Sequence, residues 1–457
     1  MIKDLTPPTQ TIVGGALVDI NPGTDFGEIV AGDEKIFFSA AAGDERFNGI
    51  RELYVTDGTE VGTEQVSNIF WCTEVIGGVN SQFPEFVYSG VNSITVIPAS
   101  ERGFDVAYFS AFICNPWWVG GEEPWFSDGT ESGTTQITDL RSPSTSWPSS
   151  QWGSALVDMV GSQPRDFKKV GNKIFFSANA DQGAVNTDVG RELFVIDTSS
   201  PLASVELVKD IRNGDSNSDP VHFESMGGSI YFTADDGIAG EELWKSDGTL
   251  SGTSIVSNIA ENGSDSSPGE KLAIGGELFF VATDDNGREL WKSDGTNSGT
   301  SLVKNIANGS TSSNVRSLTS FEGALYFTAD DGMSGEELWK SDGTESGTVM
   351  IQINEFGYGS HPDYLTPLGD RLYFAAYDSD DGDELHYYES ASNTTSHIDI
   401  NSLSSSNPRF LTPLGNKLFL VANDGLNGSE LRFHWKNPGP IILCLLYTSD
   451  AADETGR

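Results

Sequence analysis

The sequence predicts an all-β protein on three observations: a repeat of about 47 residues, glycine-rich turns, and short apolar runs in place of any long amphipathic helix. Aligned on a recurring Glu-Leu or Glu-Pro pair, the copies place a glutamate at Glu52, Glu123, Glu192, Glu242, Glu289, Glu337, Glu384 and Glu430. The last five lie 46 to 48 residues apart, a period in the range of propeller blades. Copies four to six are the cleanest, reading EELWKSDGTLSGT, RELWKSDGTNSGT and EELWKSDGTESGT.

Four strands can be read in one copy. In the sixth they are VRSLTSF, a turn at Glu322-Gly323, ALYFTAD, a loop DGMSGE, ELWKSD, a turn GTESGT, and VMIQI. Asp and Gly cluster where the chain must reverse tightly. Runs such as Leu278 to Ala282 are apolar at every position, so both faces of the strand are expected to be buried. Four short antiparallel strands buried on both faces predict a β-propeller of about eight blades, with seven as the alternative. Ala16 to Ile20 matches the fourth-strand pattern, whereas the last copy, residues 409–435, has three strands. The N-terminal strand is therefore expected to complete the last blade. Residues 1–15 read as an N-terminal extension and 16–435 as the propeller.

Charge excludes some partners. Asp and Glu number 67 against 26 Lys and Arg, a formal charge of −41, which repels nucleic acid and anionic lipid. No apolar run approaches the length that spans a bilayer, and the opening MIKDLTPPTQT has no basic-then-apolar pattern. No membrane insertion is expected.

The recurring ELWKSDGTxxGT resembles the bacterial ELWxxDGT repeat family over residues 16 to 435. That resemblance implies a large exported or cell-surface protein, with no activity attached to the repeat itself. The layout is also similar to kelch-type blades. Cys444 to Glu454, CLLYTSDAADE, resembles a translated sequencing adapter, so residues 436–457 read as a non-native tail and further domains of the chain are expected beyond it.

The motif Asp residues (Asp247, Asp294, Asp342) are expected to cap their own turns. Function is expected where copies break the pattern. The second and third intervals are long, 71 and 69 residues, and their additions carry Trp71, Trp117, Trp118, Trp147 and Trp152. Trp residues gathered on adjacent loops would form a stacking platform for a glycan or an anchor for a protein ligand. Cys72 and Cys114 flank the same insertion and would brace it as a disulfide in an exported protein. The loops after the second strands carry Asp235, Asp236, Asp284, Asp285, Asp330, Asp331, Asp380 and Asp381, hard oxygen ligands that suit Ca²⁺. The five His residues recur at no ligand spacing, and no nucleophile motif is present.

The expectation drawn from these features is a non-catalytic propeller, exported or on the cell surface, that binds a glycan or protein ligand through the Trp-rich loops of blades two and three. The alternatives are a polysaccharide-active enzyme using channel carboxylates and a structural module of a larger adhesin-like protein.

Overall fold

The computed structural model describes residues 11–13, 16–18, 26–40, 51–57, 62–66, 90–115, 118–141, 161–181, 188–199, 204–261, 263–353, 359–414, 416–425 and 429–435. These residues form seven four-stranded antiparallel sheets and one of three strands, each an up-and-down meander in chain order. We number the sheets 1 to 8 (26–65, 92–136, 165–209, 221–257, 271–304, 316–351, 363–398 and 409–435) and their strands a to d. The fold is all-β and propeller-like, as the repeat predicts.

Two compact units are present, and the division falls within sheet 4. In the first unit the a strands of sheets 1, 2, 3 and 4 touch in succession. In the second, those of sheets 5, 6, 7 and 8 do the same.

The b strands are the buried centre of each sheet. Leu278, Phe279, Phe280, Val281 and Ala282 are each at most 4% exposed, so both faces are covered. Alternation sends neighbouring residues to opposite interfaces. Phe327 packs with Phe279 and Val281 of sheet 5, whereas its neighbour Tyr326 packs with Leu372 and Phe374 of sheet 7. Sheet 7 repeats the pattern, Phe374 facing sheet 6 and Tyr373 facing Leu418 and Leu420 of sheet 8. Each buried aromatic of this kind contributes about 1.5–3 kcal/mol.

The c–d turn explains SDGTxxGT. Asp247 Oδ1 accepts the Thr249 N–H at 2.9 Å and the Thr249 hydroxyl at 2.7 Å, while Ser246 and Thr253 join hydroxyls at 2.7 Å. Asp294 and Asp342 do the same for Thr296 and Thr344, so these carboxylates cap their own turns. The second glycine is required by space: a Cβ on Gly252 would stand 2.1 Å from the Asp247 carboxylate.

Every a strand but that of sheet 5 also carries a feature the sequence conceals. Its register to strand b slips near its start, as between Arg316 and Thr319, with Ser317 at φ 59°. Ser93, Asp166, His222, Tyr364 and Phe410 hold the same left-handed backbone at the same bulge. Side chains of the preceding sheet catch amides that these bulges turn outward: Glu28 accepts the Ile94 N–H at 2.5 Å, and Glu270 accepts that of Leu318 at 2.8 Å.

The N-terminal strand differs from expectation. Ala16–Val18 pairs antiparallel with Thr11–Val13 in a two-stranded ribbon, and the sheet at 409–435 has three strands. No helix among the described residues is long and apolar enough to cross a membrane, which says nothing of strands.

Candidate functional site

The glutamate on which the repeat aligns is a buried staple. Glu289, fully buried on strand c of sheet 5, accepts the N–H groups of Ile306 (3.1 Å) and Ala307 (3.4 Å) in the connection leaving that sheet. It also accepts the hydroxyl of Ser313 (2.7 Å), which leads into sheet 6. The same carboxylate-to-serine bond joins Glu123 to Ser162, Glu192 to Ser218, Glu242 to Ser266, Glu337 to Ser360 and Glu384 to Ser406, at 2.6 to 2.7 Å. Burial pushes the Glu123 and Glu192 carboxyls up to about 7, and raises those of Glu242, Glu289 and Glu384, against the lowering effect of these hydrogen bonds. The serine half of the staple escapes a reading aligned on ELW alone. Its signal is a Ser three to five positions before strand a, usually followed at two residues by Pro, as in Ser218-Asp219-Pro220 and Ser360-His361-Pro362.

The expected acidic loops divide into two kinds. In sheets 4 to 6 the carboxylates mostly cap their own loops. Asp235 holds the Gly237 amide and pairs with Arg212, and Asp236 accepts from Ile238 and Ala239. Asp284 accepts from Asn286, Asp330 from Gly332, and Asp331 from Met333 and Ser334. Asp285 and Asp380 are exposed.

Sheet 7 is different. Among the described residues, Asp378, Asp381 and His397 form the one group of three carboxylate, thiol or imidazole side chains close enough to hold a metal ion. Asp378 ends strand b (Arg371–Asp378), Asp381 lies in the following turn, and His397 is on strand d (Thr394–Ile398). Asp378 commits Oδ1 to the turn, accepting the N–H groups of Asp380 and Asp381 at 2.9 and 2.8 Å. Its Oδ2 is thereby aimed at two imidazoles, His397 Nδ1 at 3.6 Å and His386 Nε2 at 3.7 Å. The other ring nitrogen of His397 lies 3.0 Å from Asp381 Oδ2.

His386 is 3% exposed, and its Nε2 has no hydrogen-bond partner. The ring stacks on Phe374, lies cross-strand from His397, and hydrogen-bonds through its remaining nitrogen to the backbone of Ala376. Burial drives its pKa down to about 4, which keeps the imidazole neutral. Sequence reasoning finds Asp381 and misses its partners. Their signal is positional: His386 stands where Trp244, Trp291 and Trp339 stand in the other copies, and His397 where Met350 and Leu302 do.

Of the Trp residues expected to form a platform, Trp71, Trp117, Trp147 and Trp152 lie outside the described residues. Trp118 begins a strand, Trp118–Ser127, paired with Asn115 in the ladder of sheet 2 rather than standing on a loop. Cys72 lies outside the described residues, and with it the expected bridge to Cys114.

No family model matches the chain, and no curated protein does. Among solved structures it is similar to a puromycin hydrolase (16% identity, TM-score 0.46, covering 87% of this chain and 58% of that one). It is also similar to a puromycin-hydrolysing peptidase of Mycobacterium tuberculosis (11%, 0.45, 87% and 58%) and to a prolyl endopeptidase (10%, 0.44, 91% and 55%). The chain thus spans little more than half the length of these proteins. The expectation of a non-catalytic glycan- or protein-binding propeller, with its adhesin-like and polysaccharide-active alternatives, is corrected here: the structures that the chain is similar to are named as peptidases and hydrolases.

Proposed function

We propose that this chain is the propeller-like framework of a larger enzyme, built on repeats of the ELWxxDGT type, in which the signature residues join each sheet to the next. The observation that carries this reading is the buried carboxylate-to-serine staple, repeated from Glu123–Ser162 to Glu384–Ser406. A buried side chain engaged by two to four donors is spent on architecture, so the signature itself is not a site of chemistry. Hydrolysis of puromycin and of prolyl peptides is the activity to assay first in the whole protein, since the similar solved structures are named for it.

The test pairs stability with turnover. Glu289→Ala and Ser313→Ala should lower the melting temperature of the chain and of the whole protein alike. The whole protein should cleave puromycin or a prolyl peptide, and the chain by itself should not. Unchanged melting in both variants would overturn the framework, and turnover by the isolated chain would overturn the division of labour.

A further inference from the structure

We propose that sheet 7 carries a binding site for a divalent transition-metal ion of the zinc class, held by Asp378, Asp381 and His397, with the buried His386 Nε2 facing the same Asp378 oxygen and completing the site from its inner side. The inference goes beyond the framework reading and does not depend on it.

The repeat itself provides the comparison. In sheet 6 the aligned residue is Trp339, whose indole N–H donates to the Ala329 carbonyl at 3.1 Å. His386 occupies the same place and bonds to the backbone of Ala376, the residue aligned with Ala329. A tryptophan offers one donor and nothing else. A histidine that spends its N–H on that carbonyl keeps a lone pair on the other nitrogen, and here that nitrogen is Nε2. It faces Asp378 Oδ2, also a lone-pair group, across 3.7 Å, too long for a hydrogen bond. A buried acceptor and a half-buried one turned toward one another are repelled unless a cation lies between them.

The rest of the site fits a cation. His397 brings a second imidazole to the same carboxylate oxygen at 3.6 Å. With metal-ligand bonds near 2.0–2.1 Å, adjacent ligands of a tetrahedral ion stand about 3.3 Å apart, and Asp378, Asp381 and His397 each offer an atom within 4.8 Å of the others. An outer contact of the kind that holds metal-binding histidines is in place, the Ala376 backbone for His386, and Asp381 Oδ2 stands 3.0 Å from His397 Nε2. Imidazole nitrogen beside two carboxylates favours zinc, cobalt or nickel over calcium, which takes six to eight oxygens. His397 is exposed, so the outer side of the ion stays open to water.

The experiment uses the whole chain, stripped with EDTA and titrated with cobalt or zinc chloride. One equivalent of cobalt should give the visible bands of a low-symmetry site, and zinc should displace it and raise the melting temperature. His386→Trp restores the residue of the other copies and should fold normally while losing the cobalt spectrum. Asp381→Asn should weaken binding by about ten- to a hundredfold. Equal cobalt binding by His386→Trp would overturn the proposal, as would a wild-type chain that binds none, or a melting shift as large with calcium as with zinc.

Discussion

The chemistry of single residues in this protein is largely the chemistry of satisfying buried backbone. Glu289 accepts from two amides and a serine hydroxyl in a place water does not reach. Replacing it with alanine strands those donors, at roughly 1–3 kcal/mol for each buried group left unpaired. Glu289→Ala should therefore lose about 3 kcal/mol or more in urea unfolding, and Ser313→Ala about 1 kcal/mol, since one donor among several is lost. Gly299 is constrained by space instead: a Cβ there would lie 2.1 Å from the Asp294 carboxylate. Gly299→Ala should cost about 1–3 kcal/mol by displacing that cap, measured in the same assay.

At the scale of elements, the strands and the c–d turn were legible because they recur. A period of 46 to 48 residues, an apolar b strand and SDGT at fixed offsets leave few other readings. The bulge in strand a was not legible. Left-handed backbone is ordinarily marked by glycine or asparagine, yet here the position holds Ser93, Asp166, His222, Ser317, Tyr364 and Phe410, which share no side-chain property. Such a residue costs roughly 1–2 kcal/mol against a glycine, so Ser317→Gly should raise stability by about 1 kcal/mol and Ser317→Val should lower it. A melting temperature that falls in Ser317→Gly would mean that its side chain holds the bulge open. The metal-binding residues were hidden for a related reason. His386 and His397 are far apart in sequence for a ligand pair and become neighbours only through the pairing of strands c and d.

For the molecule as a whole, the staples set a dependence on pH. Glu123 and Glu192 titrate near 7 in the folded chain, above the ordinary carboxyl value of 4.5, because they are buried. The native state therefore binds these protons more tightly than the unfolded state. Their contribution is complete below about 4.5 and is lost as pH rises through 7, up to roughly 3 kcal/mol for each group. The turn aspartates act in the opposite sense: hydrogen bonds from Thr249 and Thr344 lower Asp247 and Asp342, so their contribution is lost on acidification below the ordinary value of 3.8. A net charge of −41 adds self-repulsion that also eases toward acid. Melting temperature should be highest near about pH 5 and fall toward pH 8, with a shallower fall in the Glu123→Gln/Glu192→Gln double variant. A flat profile between pH 5 and 8 would show that these carboxyls are solvated in the native state.

The staple also bears on how such a chain grows. The copies of sheets 3 to 7 each carry both halves of the bond, a glutamate offered forward and a serine offered back, so unequal recombination between them reunites a glutamate with a serine wherever the crossover falls. Copy number can change without any new contact having to evolve. A free end cut between Glu289 and Ser313, in contrast, would leave a buried carboxylate without its serine, which makes that interval the wrong place to end an engineered fragment.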